Sequence, residues 1–181
     1  MITTTLTTPG LVLRPWTEED IPAMVAAHQD PAMRRWLRRT VTTVEEARRI
    51  IQARQADAQD GTGVSFAVLR AAAGGDPGDV VGSVSLRGLG GPAVSGEVGY
   101  WVAASARGQG IATRALNAVC DWAFERPWPR PLERLELIHA VGNQASCRVA
   151  VNAGFSLSAV LPPNLPEFPG EGHRHTRPAT G

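Results

Sequence analysis

Glu97-Val-Gly-Tyr-Trp-Val-Ala-Ala-Ser-Ala-Arg107-Gly-Gln-Gly-Ile-Ala-Thr-Arg-Ala-Leu116 is the stretch on which the fold turns. It reads as a buried strand over residues 97–103, a short loop, an Arg-Gly-Gln-Gly turn and a helix from Gln109 to about Glu125. Strand alternation puts Glu97, Gly99 and Trp101 on one face and Val98, Tyr100 and Val102 on the other. A helix that starts on glycines exposes unpaired N–H groups and the positive end of its dipole. That is an anion site, and the usual anion is a phosphate. Gly108 and Gly110 carry no side chain, so a pyrophosphate can approach the backbone, and successive N–H groups of Gln109, Gly110, Ile111, Ala112 and Thr113 face it.

Upstream of this stretch, residues 11–16 form a first strand, with Pro15 arguing for an edge position or a strand end. Thr17 caps a helix whose first turn is acidic, Glu18-Glu-Asp20, and whose apolar face carries Ile21, Met24, Val25 and His28. A short helical piece follows Asp30-Pro31. Thr43-Val-Glu-Glu46 is a capping box that opens a helix ending at Gly61. The period then changes to two. Strands are expected over 64–70 and 80–87, joined by turn-rich residues 73–79. Downstream, Pro127, Pro129 and Pro131 end the glycine-started helix. A strand over 135–140, a helix over 143–152 closed by Gly154, and a strand over 155–161 complete the order. Alternation of helices with strands places the chain in the mixed α/β class, as one domain over residues 1–181 with its core in 9–161.

The bulk numbers agree with a soluble globule. The chain has 181 residues, 43% of them apolar and 19% charged, and a net charge of +1. That balance gives no electrostatic case for nucleic acid. No apolar run reaches the length of about 18 residues that spans a bilayer, and the first ten residues lack signal-peptide regions. All 18 basic residues are arginine, a composition that GC-rich codon usage explains. Cys120 and Cys147 form neither a disulfide framework nor a metal spacing, so a reduced, cytoplasmic protein is expected.

A second motif lies beyond the next strand: Asn143-x-x-Ser146-x-Arg148, with Gly154-Phe155 after it. Together with Arg107-x-x-Gly110-x-Ala112 it resembles the GNAT acetyltransferase superfamily. The Glu97-Val-Gly-Tyr-Trp strand and Asn-x-x-Ser-x-Arg-Val resemble the branch of ribosomal-protein N-terminal alanine acetyltransferases. The resemblance implies a central, mostly antiparallel sheet splayed between its fourth and fifth strands, with helices on both faces. It implies acetyl-CoA as co-substrate, with strand-edge groups of Tyr100, Trp101 and Val102 pairing with the pantetheine arm. The Val102 N–H is then the oxyanion donor, and transfer to a primary amine is direct, with no metal.

Several residues keep two readings. Arg107 contacts the phosphates or braces the loop. Asn143 is an N-cap, a pantetheine ligand, or both. Ser146 assists the departing thiolate, modestly, because a thiol of pKa near ~8.5 needs little acid help, or is a small packed polar residue. Arg148 reaches a phosphate or is solvated. Glu97 is the candidate general base, directly or through water, or else an ion-paired strand residue. An α-amine (pKa ~8) is about a tenth neutral at pH 7, a lysine amine (~10.4) under roughly a thousandth. Only the first suits a weak base.

On the acceptor side, Trp16, Trp36 and Trp101, with Leu37, Arg38 and Arg39, are candidates for the groove wall. The Arg34, Arg35, Arg38 and Arg39 cluster attracts an acidic peptide or is a solvated helix face. The Pro- and Gly-rich tail from Pro162 departs from the family, with at most a short last strand over 173–177. His173 and His175 alone, at i and i+2, are too few for a metal site. The expected protein is therefore an acetyl-CoA-dependent N-acetyltransferase acting on a protein N-terminus or small amine. The rival is a non-catalytic acyl-CoA-binding or sensing module. A homodimer is common among soluble enzymes.

Overall fold

Eight strands share one sheet in the order β1-β2-β3-β4-β5-β6-β8-β7 in the computed structural model of the chain. Residues 4–72, 77–92, 94–128, 130–164 and 169–179 are described. The strands are β1 (Leu6–Thr8), β2 (Leu11–Pro15), β3 (Gly63–Ala71), β4 (Pro77–Arg87), β5 (Ser95–Val102), β6 (Arg134–Ala140), β7 (Ser156–Leu161) and β8 (Gly172–Pro178). The helices are α1 (Ile21–Ala27), α2 (Pro31–Trp36), α3 (Val44–Asp60), α4 (Ile111–Glu125) and α5 (Gln144–Asn152). The expected mixed α/β architecture is present. The turn expected over 73–79 falls largely on residues outside those described, as does Pro129.

Alternation along β3 explains the two-sided core. Val64, Phe66 and Val68 pack against α4, whose Ile111, Ala115, Leu116, Val119, Cys120 and Ala123 are buried. Ala67 and Leu69 face a second core built by Trp16, Met24, Met33, Ala47, Ile51 and Trp101. Helices therefore cover both faces of the sheet. Full burial of a Leu or Phe side chain is worth about 1.5–3 kcal/mol, which offsets the entropy of ordering α4.

Every neighbouring pair is antiparallel except β5 with β6. That parallel ladder runs only from Ser95–Arg134 to Val98–Leu137 and then stops. The sheet splays there, at the strand pair that the family resemblance implies.

Of the two positions Pro15 allowed, the strand end is the one taken: it closes β2, which is not an edge strand because β1 folds back onto it from Gly10. Three residues, Leu-Thr-Thr, are too short to carry an alternation signal. The last strand expected over 173–177 is present as β8, one residue longer at each end. β8 has seven residues and lies inside the sheet, paired on one side with β6 and on the other with β7. Two waiting strand edges outweigh the weak local propensity of Gly-His-Arg-His-Thr-Arg-Pro.

Candidate active site

The splay opens a cleft of about 1280 Å³ whose walls come from β5, α2, α3, the 106–113 turn and α5. Gly108 and Gly110 take left-handed φ of 74° and 68°, which curl the turn so that α4 begins on Gly110. A side chain at either position is strained. The first N–H in α4 that returns to a backbone carbonyl of the preceding turn is that of Arg114, bonded to Gly110 at 3.1 Å. The N–H groups of Ile111, Ala112 and Thr113 precede it, at the positive end of the helix.

The turn is also held by arginines that sequence reading passed over. Arg114 donates to the Gln109 carbonyl at 2.9 Å, and Arg70 to the Gln109 side-chain oxygen at 2.8 Å. Both bring positive charge to the same bend. Arg107 turns out to brace the loop. Its Nε donates to the Val102 carbonyl at 3.2 Å and its guanidinium ion-pairs with Asp30 at the start of α2.

The edge of β5 faces the gap. The Ala103 N–H donates to Val81 on the β4 side at 2.9 Å. Alternation then turns the N–H groups of Tyr100 and Val102 to the opposite side, where no β6 residue pairs beyond Val98. Trp101 lies with its ring on the other face of the strand, in the second core.

At the far wall, Asn143 caps α5 by accepting the Ser146 N–H at 3.2 Å. The cap uses the carbonyl oxygen and leaves the –NH₂ end of the amide as a donor group. Ser146 Oγ and Tyr100 OH form a 3.0 Å hydrogen bond across the splay. Burial pushes the Tyr100 phenol pKa up, against a smaller opposing effect of Ser146, so the ring keeps its proton. Tyr100 thus contributes a hydroxyl as well as a strand edge, which its position on the Val98 and Val102 face could have suggested. Arg148 is exposed on the rim.

Glu97 Oε1 accepts from Arg87 at 2.9 Å and lies 3.2 Å from Arg38, with about a third of the side chain exposed. The carboxylate is ion-paired from two sides. Trp36 lines the cleft and its ring edge reaches toward Gly142, where an added Cβ would lie 3.5 Å from it. Leu37, Arg38 and Arg39 line the same wall. Trp16 does not belong with them. It is 2% exposed, packed 6.0 Å from the Trp101 ring and under the Arg54 guanidinium, and it serves the core rather than the groove.

His28 was legible only as part of an apolar face. It is buried, edge-on to Trp101 at 5.4 Å, and its Nδ1 accepts the Val41 N–H at 3.1 Å. Burial, with the charge of Arg54, lowers its pKa to about 4. A neutral imidazole protonated at Nε2 is the resulting form. Cys120 is sealed in the first core and its thiol pKa is pushed up to about 12, so it is inert. Among the described residues, no helix is long and apolar enough to cross a membrane.

Known proteins share the sequence pattern and the fold of this chain. The sequence profile described as acetyltransferase (GNAT) domain matches residues 10–156. YdaF of Bacillus subtilis, named a putative ribosomal N-acetyltransferase, is 36% identical over 78 residues. That match takes in 43% of this chain and spans about two fifths (41%) of the relative. RimJ of Mycobacterium smegmatis, solved in complex with CoA-disulfide, is 25% identical with a TM-score of 0.80, over 98% of this chain and 87% of that one. A Salmonella typhimurium acetyl transferase that modifies the N-terminal serine of ribosomal protein L7/L12 superposes with a TM-score of 0.83 at 21% identity, over 98% and 100% of the two chains.

Proposed function

Because the chain belongs to the GNAT acetyltransferase family, we propose that it transfers an acetyl group from acetyl-CoA directly to a primary amine, the α-amine of a protein N-terminus. One observation carries the reading. The β5–β6 ladder ends at Val98–Leu137 on the same cleft where α4 begins on Gly110. The helix start suits a pyrophosphate, and the unpaired edge suits the amide-bearing arm attached to it. Acetyl-CoA brings the activated acyl group.

The residues divide the remaining tasks. The 108–113 amides, with Arg70 and Arg114 near, hold the diphosphate. Val102 N–H is oriented toward the gap and donates to the carbonyl oxygen as charge builds there. The Tyr100–Ser146 pair supplies a proton donor to the departing sulfur. Glu97, ion-paired with Arg38 and Arg87, takes the amine proton through water. A weak base suffices for an α-amine, about a tenth of which is already neutral at pH 7, and not for lysine. Arg38, Arg39, Arg54 and Arg87 on the acceptor side favour a peptide with acidic residues behind its first position. The N-terminal acceptor of the Salmonella protein and the name of the Bacillus relative support the same class.

Acetyl-CoA calorimetry combined with an amine-dependent thiol-release assay tests this. Short peptides with a free N-terminus and acidic residues at positions two to four are expected to release CoA. Their N-blocked, lysine-containing counterparts are not. Acetyl-CoA binding without release on any peptide or small amine would instead assign a non-catalytic acyl-CoA-binding module.

A further inference from the structure

Three imidazoles and a thiol converge at a point the acyl-transfer reading does not use. His139 on β6 is directly opposite His173 on β8, and His175 lies two residues farther along the same face. α5 lays Cys147 over them. Its Sγ is 3.6 Å from His175 Nε2 and 4.0 Å from His173 Nδ1. One potential ligand atom from each of the four residues lies within 4.8 Å of the other three. The His139 and His175 rings stack at 5.1 Å.

The hydrogen bonding makes the grouping specific. His139 and His175 are 6% and 1% exposed. His139 Nδ1 lies 2.9 Å from the Ala140 carbonyl, which fixes a proton there and leaves Nε2 as a lone pair. Among the described residues, that Nε2 is buried and has no hydrogen-bond partner. A ring held by its outer nitrogen with the inner one unpartnered is how proteins aim a metal-binding histidine. Among the described residues, no carboxylate belongs to the cluster. Cys147 and His173 also line a separate hollow of about 390 Å³, which gives an ion a route in.

We infer that His139, Cys147, His173 and His175 form a His₃Cys site for a divalent transition-metal cation of the zinc class, beside the acyl-transfer cleft, which His139 also lines. The ligand set selects the ion, since imidazole and thiolate together suit zinc and exclude magnesium and calcium. Four protein ligands fill a tetrahedron and leave no open position, the mark of a structural rather than a catalytic zinc. Zinc–nitrogen and zinc–sulfur bonds give tetrahedral edges of roughly 3.3–3.6 Å. The Sγ–Nε2 distance of 3.6 Å already matches, and the wider pairs close by up to about 1.5 Å when the ion binds. Binding displaces the thiol proton to solvent. It ties α5 to β6 and β8 one residue beyond Ser146, so the ion steadies the helix that carries Asn143 and Ser146. The expectation of no metal site rested on His173 and His175 alone; chain folding adds the other two ligands from 26 and 34 residues away in sequence, as Cys147 and His139.

The test uses the full-length chain stripped of metal under reducing conditions, with Co²⁺ and then Zn²⁺ as probes and no acetyl-CoA present. Expected is saturation at one equivalent of Co²⁺, with visible bands of a tetrahedral site and a thiolate-to-cobalt charge-transfer band, both erased by one equivalent of Zn²⁺. Cys147→Ser removes the charge-transfer band. His173→Asn, at a half-buried position, weakens Zn²⁺ by more than the roughly 10–100-fold cost of losing an outer partner. His28→Gln, a buried histidine outside the cluster, leaves both signals unchanged. Absence of saturable binding to the folded parent, or parent-like spectra from Cys147→Ser, overturns the site. Because the readout is spectroscopic, its failure is separate from failure of the acetyltransferase reading.

Discussion

Tyr100 OH and Ser146 Oγ share one hydrogen bond, 3.0 Å long, and therefore act as one donor. Groups that act as a unit are non-additive when removed. Tyr100→Phe and Ser146→Ala should each lower kcat by about 10-fold, since the thiolate is a good leaving group, and the double variant should lose little more. Steady-state kinetics on the full cycle decides it: multiplied single losses would make the two hydroxyls independent. Glu97 makes a second residue-scale case. Its carboxylate is ion-paired with Arg38 and Arg87 at the cleft wall. Glu97→Gln should cut kcat/KM about 10²-fold near neutral pH, toward the low end of acid–base contributions. The deficit should shrink as pH rises and the α-amine loses its proton unaided. A deficit independent of pH, in a pH–rate profile, would reassign Glu97 to binding. Neither role was separable from the sequence, which places Glu97 and Tyr100 on a strand without saying who meets them.

At the scale of elements, the turn into α4 is the part the sequence made most legible. Arg-Gly-Gln-Gly after a β run predicts a glycine-started helix, and the observed start at Ile111 is two residues from the expected one. Gly110 needs its left-handed φ for that start. Gly110→Ala should cost about 1–2 kcal/mol of stability from strain and weaken acetyl-CoA modestly. Gly110→Asp should carry a similar strain but lower acetyl-CoA affinity at least ~10-fold further, because a carboxylate then meets the diphosphate. Thermal melts beside calorimetry separate the two effects, and equal affinities for both variants would move the phosphate site elsewhere. β1 and β8 were less legible for one reason. Short strands are stabilised by the partner that accepts their ladder, and a window of sequence does not contain the partner.

For the molecule as a whole, His28 gives a pH dependence of folding with a definite sign. Its pKa is about 4 in the folded protein and ~6.5 in an unfolded chain. Between those values the unfolded chain binds more protons, so stability is complete above about pH 6.5 and is lost as pH falls toward about 4. Denaturant titrations at pH 7.5 and 5.0 should show the parent losing about 2 kcal/mol more than His28→Gln, and equal losses would remove His28 from the account. What the sequence determined by itself was local: the strand periods, the capping box at Thr43, the glycine turn into α4 and, through the two motifs, the family. Those signals reside in residues a few positions apart, which is the range over which backbone sterics and amphipathic spacing act. Tertiary structure alone decided that Trp16 is core, that Arg107 binds Asp30 and that Glu97 is doubly ion-paired. It also brought His139, Cys147, His173 and His175 to one point. Each of these depends on which side chain from a distant element arrives at the same place, and burial and pairing are set only when the chain has closed on itself.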